Sequence, residues 1–192
     1  SNSNLLQEAS QRFHPVESGG GMVAAQEARA AAVGAAILRR GGNAVDAAVA
    51  SAFALAVTLP QAGNLGGGGF LVLWLPRRGT IRPCAAAGRQ PPLPEALPIG
   101  RGLAVALNFR ETAPGAARAD LFLKADGSVN RDLALRSPLS TAVPGSVAGL
   151  VQVQHRFGCL PLAAVVQPAI DLAERGFPVG PERSEEHTSE LQ

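Results

Sequence analysis

The stretch NLGGGGF, residues 64–70, places four consecutive glycines between an alanine-rich segment and the apolar run FLVLWLP, residues 70–76. Glycine runs cradle phosphates when a strand precedes them and a helix follows, because the amides at the helix N-terminus then face the anion. Here the predicted order is helix, glycines, strand, and no lysine follows as a Walker A loop requires. The run therefore predicts that a buried helix and a strand meet without side chains between them. A nucleotide-binding module built on these glycines is the alternative.

The first helix upstream of the glycines is predicted over residues 27–40. Glu27 lies in its first turn and Arg39 and Arg40 lie in its last turn, so the charges at both ends complement the helix dipole. Gly41 follows as a stop signal.

A second helix is predicted over about 44–57. Asn43 and Asp46 have the spacing of a capping box at its start. This helix is apolar on nearly every face, which indicates that it is buried. Before the two helices, residues 21–26 are predicted as a short strand, and residues 1–20 as an irregular, polar lead-in.

Downstream of the glycines, strands are predicted at about 70–75 and 103–111. Amphipathic helices are predicted at 146–157 and 162–176. The segment 76–102 holds six prolines and is predicted to be a surface excursion or insertion. The order of elements indicates a mixed α/β (α+β) fold, without the strict alternation of a doubly wound sheet.

Arg110 is the most suggestive charged residue, since it closes an otherwise apolar strand. Its guanidinium could donate two parallel hydrogen bonds to a carboxylate ligand, or it could form a structural salt bridge. The pattern favours neither. Glu111 is not expected to be its partner, because adjacent residues of a strand point to opposite faces.

Other polar residues give weaker signals. His155 and Cys159 are four residues apart, which would place them on one face of the predicted helix, but a metal needs three or four ligands. No metal site is therefore expected. No Gly-x-Ser-x-Gly elbow is present, and residues 143–149 are better explained as a helix start with Ser146 near the cap. His14 is expected to be solvated.

Composition narrows the classes of partner. The net charge is +2 and no basic cluster is longer than Arg39-Arg40, so nucleic acid is not expected as a partner. Cys84 and Cys159 are too few for a disulfide framework. The longest apolar stretch, residues 47–57, is about half of the ~20 residues that a bilayer requires. No signal peptide is visible, and no cofactor is expected.

Seven blocks of the sequence resemble the gamma-glutamyltransferase family, also called gamma-glutamyltranspeptidases or glutathione hydrolases. They occur in the family's order and cover residues 13–178. The blocks are FHPV (13–16), GMVA (21–24), ILRRGGNAVDAAVA (37–50), VTLPQAGNLGGGGF (57–70), NFRETAP (108–114), VPGSVAGL (143–150) and VVQPAIDLAERGF (165–177).

The resemblance implies an N-terminal nucleophile hydrolase fold, an αββα sandwich, in a precursor that cleaves itself into a large and a small subunit. The new N-terminal threonine of the small subunit attacks the γ-glutamyl amide, with glutathione as the usual donor, and passes the acyl group to water, an amino acid or a peptide. By the same resemblance, Arg110 binds the α-carboxylate of the γ-glutamyl group, and the enzyme is periplasmic or secreted. A related acylase that acts on a β-lactam side chain is the alternative within this fold.

The family's catalytic threonine has no counterpart here, because none of the five threonines stands in a Thr-Thr-His-like context. Residues 21–182 are accordingly expected to be a partial large-subunit region, which lacks its small subunit and has no activity of its own. Residues 183–192, RSEEHTSELQ, carry a net charge of −2 against +4 for residues 1–182. Read back into codons, they match a common short-read sequencing adapter, so they are interpreted as a non-biological scar.

Overall fold

The computed structural model describes residues 17–76, 97–99 and 102–179. The expected lead-in up to residue 16, most of the predicted excursion and the predicted scar at 183–192 lie outside these residues. In chain order the elements are α1 (Ala28–Arg39), α2 (Ala44–Thr58), β1 (Phe70–Pro76), β2 (Leu97–Ile99), β3 (Gly102–Asn108), α3 (Arg131–Arg136), a 3₁₀ turn (Pro138–Ser140), α4 (Ser146–Phe157) and α5 (Leu162–Arg175).

Helices α1 and α2 begin and end where their local signals predict. Glu27 is the N-cap of α1, and its carboxylate accepts a hydrogen bond of 3.0 Å from the backbone N–H of Ala30. Gly41 follows α1 with φ +89°, a left-handed conformation that glycine adopts without strain. In α2 the predicted capping box is confirmed. The side chain of Asn43 accepts a hydrogen bond from the backbone N–H of Asp46, and the side chain of Asp46 accepts one from the backbone N–H of Asn43.

Asp46 does more than cap its own helix. Its carboxylate is fully buried and accepts hydrogen bonds of 3.0 Å from the backbone N–H groups of Cys159 and Leu160, which form the turn between α4 and α5. The side-chain amide of Gln154, on α4, donates to the same carboxylate. Because a buried charge is costly unless its hydrogen bonds are satisfied, these donors fix the start of α2 against the α4–α5 turn.

The strands form one antiparallel sheet in the order β1-β3-β2. Leu73 of β1 lies opposite Val105 of β3, and Trp74 lies opposite Ala104. Leu73 and its alternate neighbours pack against a helical core that includes Ile37, Val49 and Val153. The helices therefore cover one face of the sheet.

The other face of the sheet is apolar and open in this chain. Phe70, Val72 and Trp74 are 66%, 79% and 53% exposed, although large aromatic and aliphatic side chains on a strand normally face a core. One helical layer on one sheet with a bare second face corresponds to half of an αββα sandwich, the fold that the family resemblance implies.

Three sequence predictions need correction. Residues 21–26 form no strand, because no described segment pairs with them and a strand requires a hydrogen-bonded neighbour. Within the predicted excursion, residues 97–99 form β2, which pairs with β3. The strand predicted over 103–111 ends at Asn108.

Replacing the buried carboxylate of Asp46 tests its structural importance. In the complete protein, Asp46→Ala is expected to cost about 3–5 kcal/mol, because several buried donors lose their acceptor at once. Chemical unfolding followed by circular dichroism measures this loss. The matched control is Asp132→Asn, since Asp132 lies in the first turn of exposed helix α3 and its side chain is 91% exposed. An Asp46→Ala variant as stable as this control would contradict the structural interpretation.

Candidate functional site

The end of β3 is set by the side chain of Asn108. Its amide oxygen accepts a hydrogen bond of 3.0 Å from the backbone N–H of Arg110, two residues further on. Asparagine favours such local turns because its side chain mimics a backbone carbonyl. The turn takes the chain out of the sheet, so Arg110 lies just beyond the strand rather than within it, with its side chain 61% exposed.

Arg110 and Glu111 form an ion pair, which corrects the sequence prediction that they do not interact. The Nε of Arg110 donates to a carboxylate oxygen of Glu111 at 3.0 Å. The prediction was wrong because it assumed the alternating directions of a strand, and the backbone has already turned at Asn108. The Arg110 guanidinium carbon also lies 5.7 Å from the centre of the Phe70 ring, within the range of a cation–π contact.

Glu111 is held ionised by its surroundings. Its pKa lies below the usual range because its own backbone N–H and then the Arg110 side chain donate to the carboxylate, with a smaller contribution from the Gly68 amide. A carboxylate that remains charged keeps its hydrogen bond to Nε. Neither terminal nitrogen of Arg110 bonds to a residue in the described ranges, so the end of the guanidinium is available for a second carboxylate.

Glycines surround Phe109, which lies between Asn108 and Arg110. A Cβ added at Gly69 would lie 2.9 Å from the Phe109 ring, and one at Gly149 would overlap the same ring. A Cβ at Gly145 would overlap the carbonyl oxygen of Phe109. A side chain at Gly69 or Gly149 would therefore displace the Phe109 ring, and one at Gly145 would displace the backbone just before Arg110.

The glycine run also contacts the start of α4. The carbonyl oxygen of Gly67 accepts hydrogen bonds from the backbone N–H groups of Gly145 and Ser146, at 2.8 and 2.9 Å. These are amides that a phosphate would use at a helix N-terminus, and here a backbone carbonyl occupies them. The predicted close approach of backbone is confirmed, but the elements that meet are the end of β3 and the start of α4, rather than the helix before the glycines.

Ser146 is the first residue of α4, as its sequence context predicts, yet its hydroxyl does not cap its own helix. The hydroxyl donates to the amide oxygen of Asn64 at 2.6 Å. Sequence analysis assigned no role to Asn64, although an asparagine three residues before Gly67 is a recognisable turn signal.

The remaining candidates do not converge on a site. Helix α4 ends at Phe157, so Cys159 lies beyond the helix and does not share a face with the exposed His155, contrary to the prediction. Cys159 is disulfide-bonded. Cys84 and His14 lie outside the described residues. In the part of the chain that the structure describes, no group of three metal-binding side chains occurs, and no helix is long and apolar enough to cross a membrane.

Comparisons with known proteins agree on one family. The family model described as gamma-glutamyltranspeptidase matches residues 30–93 and 100–192. The chain is similar to the glutathione hydrolase proenzyme of Escherichia coli, with 45% identity over 86% of this chain and 24% of that protein. It is also similar to the solved gamma-glutamyltranspeptidase of Pseudomonas nitroreducens, with 38% identity, a TM-score of 0.70, and coverage of 91% of this chain and 45% of that one.

An acylase is also among the relatives. The acylase ACY 1 proenzyme of a Pseudomonas strain, V22, is 40% identical over 87% of this chain and 27% of its own length. The chain thus spans about a quarter of the length of the curated relatives it matches.

The tight contact at Gly68 gives a prediction for stability. An added Cβ would lie 2.6 Å from the Phe109 carbonyl oxygen and 2.7 Å from the Arg110 Cα, both backbone atoms that cannot yield easily. Gly68→Ala is therefore expected to destabilise the complete protein by about 1–3 kcal/mol, as overpacking does. Gly66→Ala is the matched control, since nothing lies within 4 Å of a Cβ there. Equal thermal midpoints for the two variants would contradict the predicted contact.

Proposed function

This chain belongs to the gamma-glutamyltranspeptidase family, and on that premise we propose that the enzyme containing it cleaves the γ-glutamyl amide of glutathione and related compounds. The γ-glutamyl group passes to water, an amino acid or a peptide. The observation that carries the proposal is the placement of Arg110, which is exposed, oriented by Glu111, and free at the terminal end of its guanidinium among the described residues.

The geometry of a guanidinium explains why this placement suits a γ-glutamyl donor. The planar group offers parallel N–H bonds in more than one direction, and Glu111 takes the side that includes Nε. The pair of terminal nitrogens remains for the α-carboxylate of the donor. Two charge-assisted hydrogen bonds there would fix both the position and the rotation of the glutamyl group.

The covalent chemistry requires a nucleophile from another region of the enzyme. We assign it to the N-terminal threonine of the small subunit, released when the precursor cleaves itself. Its hydroxyl attacks the γ-carbonyl while its own α-amino group accepts the proton, and the leaving amine takes that proton as the C–N bond breaks. Water or an acceptor amine then attacks the ester and regenerates the threonine. In this mechanism the small subunit supplies the nucleophile, and the present chain binds the donor.

The proposed compartment is the periplasm or the extracellular space. Disulfide-bonded Cys159 supports it, because structural disulfides persist where the surroundings are oxidising and are rare in the cytosol. Fractionation of the source cells should recover γ-glutamyl transfer activity outside the cytoplasm. Activity confined to the cytosolic fraction would contradict the proposal.

Arg110→Lys tests the assignment of the donor site. Lysine keeps the positive charge but cannot give two parallel hydrogen bonds, so kcat/KM for a γ-glutamyl anilide should fall by a factor equivalent to about 1–3 kcal/mol in the matured enzyme. The control donor is the 4-aminobutanoyl anilide, which lacks only the α-carboxylate and should be affected less than twofold, or about 0.4 kcal/mol. An unchanged kcat/KM for the γ-glutamyl anilide would remove the assignment.

The acylase relative supports a second candidate, hydrolysis of an acyl side chain on a β-lactam. The same enzyme preparation, given γ-glutamyl anilide and an acyl-β-lactam in parallel, separates the two functions. Preferred turnover of the β-lactam would favour the acylase.

A further inference from the structure

Asn64 lies at the start of the glycine run and joins two distant segments with a single atom. Its side-chain amide oxygen accepts a hydrogen bond of 2.9 Å from the backbone N–H of Gly67 and one of 2.6 Å from the hydroxyl of Ser146. Ser146 is 4% exposed, so its hydroxyl has little access to water as an alternative partner. The two bonds tie the glycine run to the start of α4.

Both the backbone N–H and the backbone carbonyl of Gly67 are consequently held by hydrogen bonds. Its N–H donates to Asn64, and its carbonyl oxygen accepts from the amides of Gly145 and Ser146. Since a trans peptide unit is planar, fixing the carbonyl of Gly67 also fixes the direction of the amide of Gly68. A glycine run without such constraints would sample many backbone conformations.

Gly68 transmits this constraint to the donor site. Its α-carbon is so close to the next segment that an added Cβ would lie 2.7 Å from both the Arg110 Cα and the Glu111 backbone nitrogen. Next to Gly68, the backbone groups of Gly69 exchange hydrogen bonds of 3.0 and 3.4 Å with those of Phe109. A shift of Gly68 toward this segment would therefore displace the backbone that carries Arg110 and Glu111.

We propose that Asn64 is a positioning residue for Arg110, which acts through Gly67 and Gly68 on the backbone of residues 110 and 111. It holds the Glu111 carboxylate against Nε of Arg110, and thereby directs the terminal nitrogens of the guanidinium toward the donor carboxylate. Asn64 itself contacts no substrate. This inference rests on the proposed function, because it concerns how the donor site of that function is assembled.

The test compares donors that differ only in the α-carboxylate. In the matured enzyme, Asn64→Ala should raise KM for a γ-glutamyl anilide about tenfold and change kcat less than twofold, since it disturbs binding of the carboxylate rather than the chemical step. Turnover of the 4-aminobutanoyl anilide should change by less than about twofold, because that donor makes no use of the Arg110 terminal nitrogens.

Two further variants separate positioning from general structure. Asn64→Asp keeps an oxygen that can accept both hydrogen bonds, so it should hold KM within about threefold of the parent enzyme. Asn130→Ala is the matched control. It removes a similar cap, in which the Asn130 amide oxygen accepts from the backbone N–H of Leu133 at 3.2 Å, but at exposed helix α3. KM should not change in this control.

Each result supports or overturns the inference. Equal losses of kcat/KM for both donors in Asn64→Ala would show a general structural defect and overturn it. An unchanged KM in Asn64→Ala, together with an impaired Arg110→Lys, would overturn it while leaving the proposed function intact. If Arg110→Lys has no effect, the proposed function itself fails. If the Asn64→Ala precursor does not mature, Ser146→Ala replaces it as the test variant, because it removes one of the two hydrogen bonds to Asn64. The inference then requires KM to rise about threefold for the γ-glutamyl donor only.

Discussion

The architecture depends on a junction where backbone meets backbone with no side chain between. At Gly67 and Gly68 three separate segments come together: the glycine run, the end of β3 and the start of α4. A methyl group at Gly68 would already overlap backbone atoms of the residues that follow β3. Because glycine alone permits this distance of approach, the run is a packing requirement that positions the backbone of Arg110, the proposed donor-binding residue.

Helix α4 is fixed at both of its ends, which explains how the junction can be rigid. Its first residue bonds to Asn64 and to the Gly67 carbonyl. At its other end, the buried carboxylate of Asp46 accepts from Gln154 and from the turn after the helix. The capping box of α2 and the proposed donor site are therefore connected through one helix, although Asp46 lies outside that site.

Local signals predicted α1, α2, α4, α5 and β1 well, because their evidence lies in neighbouring residues, whereas the short helix α3 was not predicted. The helical periodicity of α1, α2, α4 and α5 and the N-caps of α1 and α2 are properties of short segments. The strand expected at 21–26 did not form, since its composition says nothing about whether a partner strand is present. The strand ending at Asn108 was predicted three residues too long, because the apolar alternation masked the turn chemistry of a single asparagine.

The sequence by itself determined the mixed fold class, the need for close backbone contact at the glycines, and Arg110 as a candidate for either a carboxylate clamp or a salt bridge, because these follow from residue types at fixed spacings. The family and the proposed donor role of Arg110 came from the resemblance of whole sequence blocks to known enzymes. Tertiary structure alone decided that Glu111 orients Arg110, that Asn64 reaches Ser146 across 82 positions, and that Asp46 meets a turn 113 positions away. The physical reason is that a hydrogen bond depends on separation in space, and only the folded path of the backbone converts distant positions into neighbours.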